Sequence, residues 1–152
     1  MSEAPETPDV TAMRATFIDM WATSKMRTVN GALDIDLVDV DADTVTLRMP
    51  LTDAVKQPFG LLHGGVNLVL AEGAASLHAC WGLDLTERVP VGIEINGSHV
   101  GSAREGTVEA VGRVIRRGRT LVVHEVTVTH VESGRTLCVA RVTNLIRTLP
   151  TT

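Results

Sequence analysis

The spacing of apolar residues changes along the first third of the chain and predicts a helix followed by a β-hairpin. Between residues 10 and 26, apolar side chains recur every three or four positions, the period of an amphipathic helix. From Ala32 to Val40 they alternate with acidic residues, and after a turn at residues 41–43 the alternation resumes from Thr44 to Leu51. This pattern indicates a hairpin, and its slip at Val38 predicts a β-bulge.

The rest of the chain predicts one buried helix and four strands. Residues 57–65, QPFGLLHGG, contain one Pro and three Gly and indicate a loop. Residues 66–81 contain no Pro and are apolar on nearly every side, which predicts a buried helix. The strand-like segments that follow are residues 89–100, 107–115, 121–131 and 137–146, the last three forming a meander. An antiparallel sheet wrapped around the central helix, an α+β fold, is the simplest arrangement.

Length and charge narrow the class of protein. The chain has 152 residues, enough for a single domain at residues 10–148, and its net charge of −4 gives no bias towards nucleic acid. Residues 1–9 are acidic and Pro-containing, so we expect a disordered lead-in and no signal peptide. No apolar run reaches the roughly eighteen residues of a membrane span. Cys80 and Cys138 have neither metal-ligand nor disulfide spacing, so we expect a reduced, cytoplasmic setting.

A single carboxylate marks the central helix as a candidate site. Glu72 is the one acidic residue between Asp53 and Asp84. Burying an unpaired carboxylate is costly, so the segment favours a poised base or nucleophile. The alternatives are that Glu72 reaches the surface or pairs with Lys56.

Small residues surround this carboxylate. Ser76 follows Glu72 by four positions and shares its helix face. Ser76 could belong with Glu72 in one site, or it could simply be small, like Gly73, Ala74 and Ala75, and let another backbone approach.

The motif His63-Gly64-Gly65 opens the helix and is a candidate oxyanion hole, because glycines leave N–H groups uncovered at the positive helix end. An ordinary turn capped by His63 is the alternative.

Gly64 and Glu72 are eight residues apart, roughly 12 Å along the helix axis, so one helix cannot place both on one carbonyl. Two antiparallel helices of a two-fold dimer can.

The sequence gives only weak signals for other binding or catalytic motifs. Arg113, Arg116, Arg117 and Arg119 surround a tight turn that is either a solvated hairpin tip or a phosphate-binding element. The five histidines have no zinc spacing, and nucleophile-elbow, P-loop and dinucleotide motifs are absent from the sequence. We therefore expect no metal and no cofactor.

Three segments carry a resemblance to a known family. QPFGLLHGGVNLVLAEGAAS, GIEINGSHVGSAREG and SGRTLCVARVTNLI resemble the hotdog-fold thioesterases of the 4-hydroxybenzoyl-CoA and 1,4-dihydroxy-2-naphthoyl-CoA type, in the phenylacetate-pathway group. The resemblance runs from about residue 30 to 148 and does not include the N-terminal helix.

The resemblance implies hydrolysis of an acyl-CoA by a homotetramer made of two dimers, with active sites at the dimer interface. It implies that Glu72 is nucleophile or general base and that the Gly64 N–H polarises the thioester carbonyl. Gln57 and His63 would position thioester and water, and Ser76 would assist. Coenzyme A is then part of the substrate, and neither nucleic acid nor membrane is a partner.

The resemblance also implies two segments that bind coenzyme A. They comprise Gly92, His99, Val100, Gly101, Ser102, Arg116, Arg117, Gly118 and Arg119. Relatives often carry a basic residue where this chain has Gly101, so a phosphate contact is either missing or supplied by Arg104 or the arginine turn.

Two other functions stay open at this point. A non-catalytic acyl-CoA-binding module would not need the combination of Gln57, Glu72 and Ser76, and a dehydratase would need an acid suitably spaced from His63 or His78. The sequence does not determine the acyl group of the substrate. It also does not determine whether that group is carried by coenzyme A or by acyl carrier protein. Candidate pocket residues are Met26, Leu61, Leu62, Val66, Val69 and Trp81.

Overall fold

The computed structural model describes residues 9–150, so residues 1–8 of the predicted disordered lead-in lie outside the described residues. Three helices and six strands make up the fold. They are α1 (Val10–Ser24), α2 (Val29–Ala32), β1 (Asp36–Val40), β2 (Thr44–Pro50), α3 (Gly64–Ala79), β3 (Arg88–His99), β4 (Thr107–Arg117), β5 (Leu121–His130) and β6 (Arg135–Thr148). Short 3-10 turns cover Lys25–Arg27 and Asp53–Val55.

The strands form one antiparallel sheet in the order β1-β2-β4-β5-β6-β3. The predicted hairpin and meander are confirmed, and the register slips between Leu37 and Asp39, where the bulge was expected. The first strand begins at Asp36 and not at Ala32, because Ala32 ends α2 and Asp34 adopts a positive φ of 53°. β3 pairs with β6 at the edge of the sheet, a position that the sequence pattern did not predict.

Helix α3 packs on one face of the sheet, which confirms the predicted sheet around a central helix. Its buried face is built from small and branched residues, Leu70, Ala71, Ala74 and Ala75. The prediction that α3 is buried on all sides was wrong for the single chain, because Glu72 is exposed and Gly73 and Ser76 are only half-buried. Ala74 and Ala75 therefore pack against the chain's own sheet.

Helix α1 is held to the end of α3 by two aromatic anchors. Phe17 and Trp21 are buried, and the Phe17 ring lies 5.2 Å from the Trp81 ring, centroid to centroid. Lys25 adds ion pairs to Asp34 and Asp36, so α1 is fixed relative to β1. No helix in residues 9–150 is long and apolar enough to cross a membrane.

A buried pair of histidines ties α3 to β5 and to the turn of the first hairpin. His78 Nε2 lies 2.8 Å from the Asp41 carbonyl oxygen, which can only accept, so this nitrogen carries the proton. His78 Nδ1 must then accept from His124 Nε2, 2.8 Å away. Both side chains are fully buried, and burial lowers the pKa of His78 and brings that of His124 to about 3.

Candidate active site

The N-terminus of α3 presents one uncommitted backbone donor. His63 caps the helix, and its Nδ1 accepts a hydrogen bond from the Gly65 N–H at 2.9 Å. Among the hydrogen bonds of residues 9–150, none uses the Gly64 N–H. The capping role considered for His63 is therefore present, and it leaves Gly64 as a free donor at the positive helix end.

Strand β3 runs antiparallel along α3 and touches it at both candidate positions. A Cβ on Gly64 would lie 2.8 Å from His99 Nε2, so the His99 ring covers the first turn of the helix. A Cβ on Gly92 would lie 2.6 Å from Glu72 Oε1. Glycine at position 92 thus makes room for the carboxylate, a contact that links two residues predicted separately.

Glu72 stands free of any basic partner among the described residues. Lys56, its considered ion-pair partner, instead contacts Asp53 at 2.7 Å. Because Glu72 is exposed in the single chain, the desolvation argument made from its sequence does not apply to an isolated subunit. The case for Glu72 as a catalytic residue therefore depends on the residues around it.

Those surroundings include Asn144, which sequence reasoning missed. Ser76 Oγ donates to Asn144 Oδ1 at 3.0 Å, and Asn144 is fully buried on β6 opposite Gly92. Its amide nitrogen finds no partner within residues 9–150. An amide in the middle of an apolar strand is the signal that could have found it, since buried polar groups normally have partners.

The loop before α3 orients Gln57. Its Oε1 accepts from the Phe59 N–H, which leaves the side-chain NH2 group of Gln57 to face outward as a donor. Arg104 donates to the Phe59 carbonyl at 3.0 Å and holds the same loop. Arg104 is therefore engaged at the N-terminal end of α3.

The arginine turn lies at the opposite end of α3. Arg117 donates to the carbonyls of His78 at 3.1 Å and of Trp81 at 3.2 Å, so it caps the helix C-terminus. Desolvation there lowers the pKa of the Arg117 guanidinium. Arg116 and Arg119 are exposed, which leaves these two free to meet a solvent-borne anion.

The two predicted coenzyme A segments are not brought together within one chain. Residues 99–102 follow the strand end beside Gly64, whereas residues 116–119 lie at the C-terminus of α3. The helix has 16 residues and is therefore about 24 Å long. The two segments are therefore separated along α3, as Gly64 and Glu72 are.

Gly101 has a local reason to be glycine. A Cβ there would collide with the Thr136 carbonyl oxygen, and the Gly101 N–H donates to the Leu137 carbonyl at 3.1 Å. Any side chain at position 101 would therefore need a different backbone path. Ser102 is held next to it, where its carbonyl accepts from Arg135 at 2.6 Å.

A cavity of about 340 Å³ opens beside Glu72 and is lined by Val69, Gly73, Ser76 and residues of α2. Of the apolar residues predicted to line a pocket, Val69 lies here. Trp81 instead packs in the core against Phe17, and Leu62 is buried.

Residues 59–138 match the model of the thioesterase superfamily. The chain is 40% identical over 116 residues to the 1,4-dihydroxy-2-naphthoyl-CoA hydrolase of Escherichia coli (76% of this chain, 84% of that protein). It is 33% identical over 118 residues to the proofreading thioesterase EntH of Klebsiella pneumoniae (78% and 85%). A mutant of thioesterase PA1618 from Pseudomonas aeruginosa superposes with a TM-score of 0.80 at 32% identity, covering 97% of this chain and all of that one. The chain therefore belongs to the thioesterase superfamily and is a thioester hydrolase with the hotdog fold.

Proposed function

We propose that this thioesterase hydrolyses acyl-CoA thioesters and that Glu72 supplies the reacting carboxylate. The observation that carries the proposal is the setting of Glu72. Its carboxylate is free of ion pairs among the described residues, abuts Gly92 and opens on a cavity. The substrate class follows the name of the Escherichia coli relative, which is a CoA-thioester hydrolase.

The active site is assembled across a two-fold dimer. β3 is an edge strand of 12 residues that pairs with β6 on one side and with no strand of residues 9–150 on the other, and it exposes apolar side chains such as Ile93, which is 55% exposed. Antiparallel pairing of two β3 edges would cover these side chains and set the two copies of α3 antiparallel. The N-terminus of one α3 would then face the middle of the other, which brings Gly64 of one subunit to Glu72 of its partner. We further propose that two such dimers form the tetramer.

In the reaction, the Gly64 N–H donates to the thioester carbonyl oxygen and stabilises the negative charge that develops there. Glu72 either attacks the carbonyl carbon to form a mixed anhydride that water then hydrolyses, or removes a proton from the attacking water and passes it to the leaving sulfur. The C–S bond breaks, coenzyme A leaves as the thiol, and water supplies the second oxygen of the acid. The Gln57 amide orients the water or the thioester, and Ser76, held by Asn144, supports the Glu72 end of the site. No cofactor takes part.

The test is Glu72→Gln, which keeps the side-chain shape and removes the charge. We expect kcat for acyl-CoA to fall by at least about a thousandfold, with oligomeric state and melting temperature unchanged. Asp84→Asn, which neutralises an exposed acid outside the site, is the matched control and should keep full turnover. Near-normal turnover by Glu72→Gln would exclude the mechanism.

The alternative from another class is a non-catalytic acyl-CoA-binding module. It predicts that the wild-type protein binds acyl-CoA but releases no thiol from any member of an acyl panel. A thiol-release assay beside a binding titration separates the two functions.

A further inference from the structure

A groove made of two adjoining cavities lies along the open face of α3 beside Glu72. The cavity beside Glu72 adjoins a second one of about 400 Å³, and both are lined by Asn30, Gly73 and Ser76. The second cavity ends at Cys80 and Leu85. The two cavities therefore adjoin along α3 and together outline one groove beside the candidate carboxylate.

The floor of this acyl groove, as we call it below, is a single helix face. Its α3 residues follow one another at intervals of three and one, as expected for one stripe of a helix. They are Val69, Glu72, Gly73, Ser76, Leu77 and Cys80. Trp21 of α1 forms one wall, and Val89 and Pro90 at the start of β3 form the other. Helix α1 thus contributes to the groove although it lies outside the region that matches the family model.

Gly73 supports a ligand role for this floor. A Cβ at position 73 would meet only Asn30 Oδ1 at 3.7 Å and Leu47 Cδ1 at 3.8 Å, which are ordinary contacts. Glycine inside a helix destabilises it relative to alanine, so the packing within one chain does not explain this residue. A larger side chain would, however, fill the groove next to Glu72.

We infer that the acyl groove binds an unbranched aliphatic acyl chain of medium length, an inference that rests on the proposed function. The polar side chains Asn30 and Ser76 lie at the Glu72 end, where the thioester must sit, and among residues 9–150 Ser24 is the one hydroxyl-bearing residue that lines the second cavity alone. Beyond them the lining is largely apolar, as an alkyl chain requires. From Glu72 to Cys80 the helix advances roughly 12 Å, which matches about ten carbons at about 1.25 Å each.

Cys80 and Leu85 set the length limit. Both also line a third, mainly apolar cavity of about 460 Å³ under α1, beside Met13, Phe17 and Met20. Their side chains therefore lie at the boundary between the acyl groove and this further space. A smaller residue at position 80 should join the two, and a larger one should shorten the groove.

The experiment measures kcat/KM for a series of straight-chain acyl-CoA substrates from two to sixteen carbons, with benzoyl-CoA as a compact comparison. For the wild type we expect a rise of roughly fourfold per methylene up to a limit near ten carbons. Cys80→Ala should move the limit to longer chains, and Cys80→Leu should move it to shorter ones. Cys138→Ala, the same change at the other cysteine in the core, is the control and should keep the wild-type profile.

Binding of non-hydrolysable thioether analogues to the same variants separates this inference from the proposed function. If the analogues show the length dependence while turnover is absent, the groove stands and the catalytic proposal fails. If turnover is normal but neither Cys80 variant shifts the length limit, the groove assignment is wrong. A preference for benzoyl-CoA over every alkyl chain would also overturn it.

Gly73→Val gives a second readout that does not depend on position 80. We expect an intact oligomer, with affinity for medium-chain analogues reduced at least about tenfold. If the tetramer instead dissociates into dimers that bind the analogues with unchanged affinity, Gly73 serves subunit packing and is not part of the groove.

Discussion

At the residue scale, glycines of the site provide close approach. Gly64 admits the His99 ring, and Gly92 admits the Glu72 carboxylate. In each case a side chain from a distant part of the sequence occupies the space where a Cβ would stand. Glycine therefore allows α3 and β3 to approach closely at both proposed reacting positions.

The Gly64 donor can be tested with two variants, of which only one keeps the backbone N–H. Gly64→Pro and Gly64→Ala both place a Cβ against His99, but only proline removes the N–H. Proline suits the first helical position, and the extended backbone of His63, with ψ at 128°, is compatible with a following proline. We expect kcat of the proline variant to lie about a hundredfold or more below that of the alanine variant. Equal kcat values would exclude the backbone donor.

At the element scale, the exposed arginines of the turn differ in their hydrogen bonds. Arg117 is committed to the C-terminus of α3, whereas Arg116 and Arg119 point to solvent. Arg117→Gln should lower the free energy of unfolding by about 1–3 kcal/mol, because carbonyls at the helix end lose a charged donor. Denaturant unfolding measures this change.

The exposed pair should act on substrate instead. Replacing Arg116 and Arg119 together by glutamine should raise KM for acyl-CoA, more at low salt than at high salt, with unfolding unchanged. A truncated thioester without the nucleotide serves as the control substrate and should be barely affected. An equal loss on both substrates would show that these arginines do not contact the nucleotide.

The buried histidine pair makes stability depend on pH. Because burial keeps His124 neutral down to about pH 3, the unfolded chain binds more protons below its ordinary pKa of about 6.5. The stabilisation is therefore complete above about pH 6.5 and is lost progressively as the pH falls towards 3. Between pH 6.5 and 5, His124 alone should cost about 2 kcal/mol of unfolding free energy.

Urea unfolding of His124→Gln checks this prediction, since glutamine keeps a donor for His78 Nδ1 but does not titrate. Its unfolding free energy should fall less steeply with pH than that of the wild type. Val126→Ala, a cavity-forming change in the same strand, should lower stability while keeping the wild-type slope. A His124→Gln slope equal to the wild type would contradict the assignment.

At the scale of the whole molecule, the single chain keeps the two parts of the proposed site apart. The free N–H of Gly64 and the Glu72 carboxylate are roughly 12 Å apart along one helix. Residues 99–102 and 116–119 are likewise at opposite ends of α3. A two-fold partner is the arrangement that would unite each pair.

Mixing two inactive variants tests this shared site. Heterodimers of Glu72→Gln and Gly64→Pro should contain one site with both defects and one with neither. After co-expression, activity per heterodimer should return to about half of the wild-type value. Heterodimers that form but stay inactive, with Gly64→Pro shown to fold by itself, would mean that each site lies within one chain.

The local features of this protein were determined by the sequence alone. The period of apolar residues depends only on neighbouring positions, so it predicted α1, the bulged hairpin, α3 and the meander. The single carboxylate in an apolar helix likewise marked Glu72 without any structure. The element boundaries differ by a few residues, because capping by His63 and the helical turn before Asp36 lie outside that period.

The contacts across the chain were decided only by the tertiary structure. Placement of β3 beside β6 sets Gly92 against Glu72 and Asn144 beneath Ser76, and these pairings depend on strand order and register. Docking of α1 through Phe17 and Trp21 forms a wall of the acyl groove from a helix that the family resemblance left without a role. Contacts between residues far apart in sequence leave no periodic trace, so the tertiary structure was needed to find them.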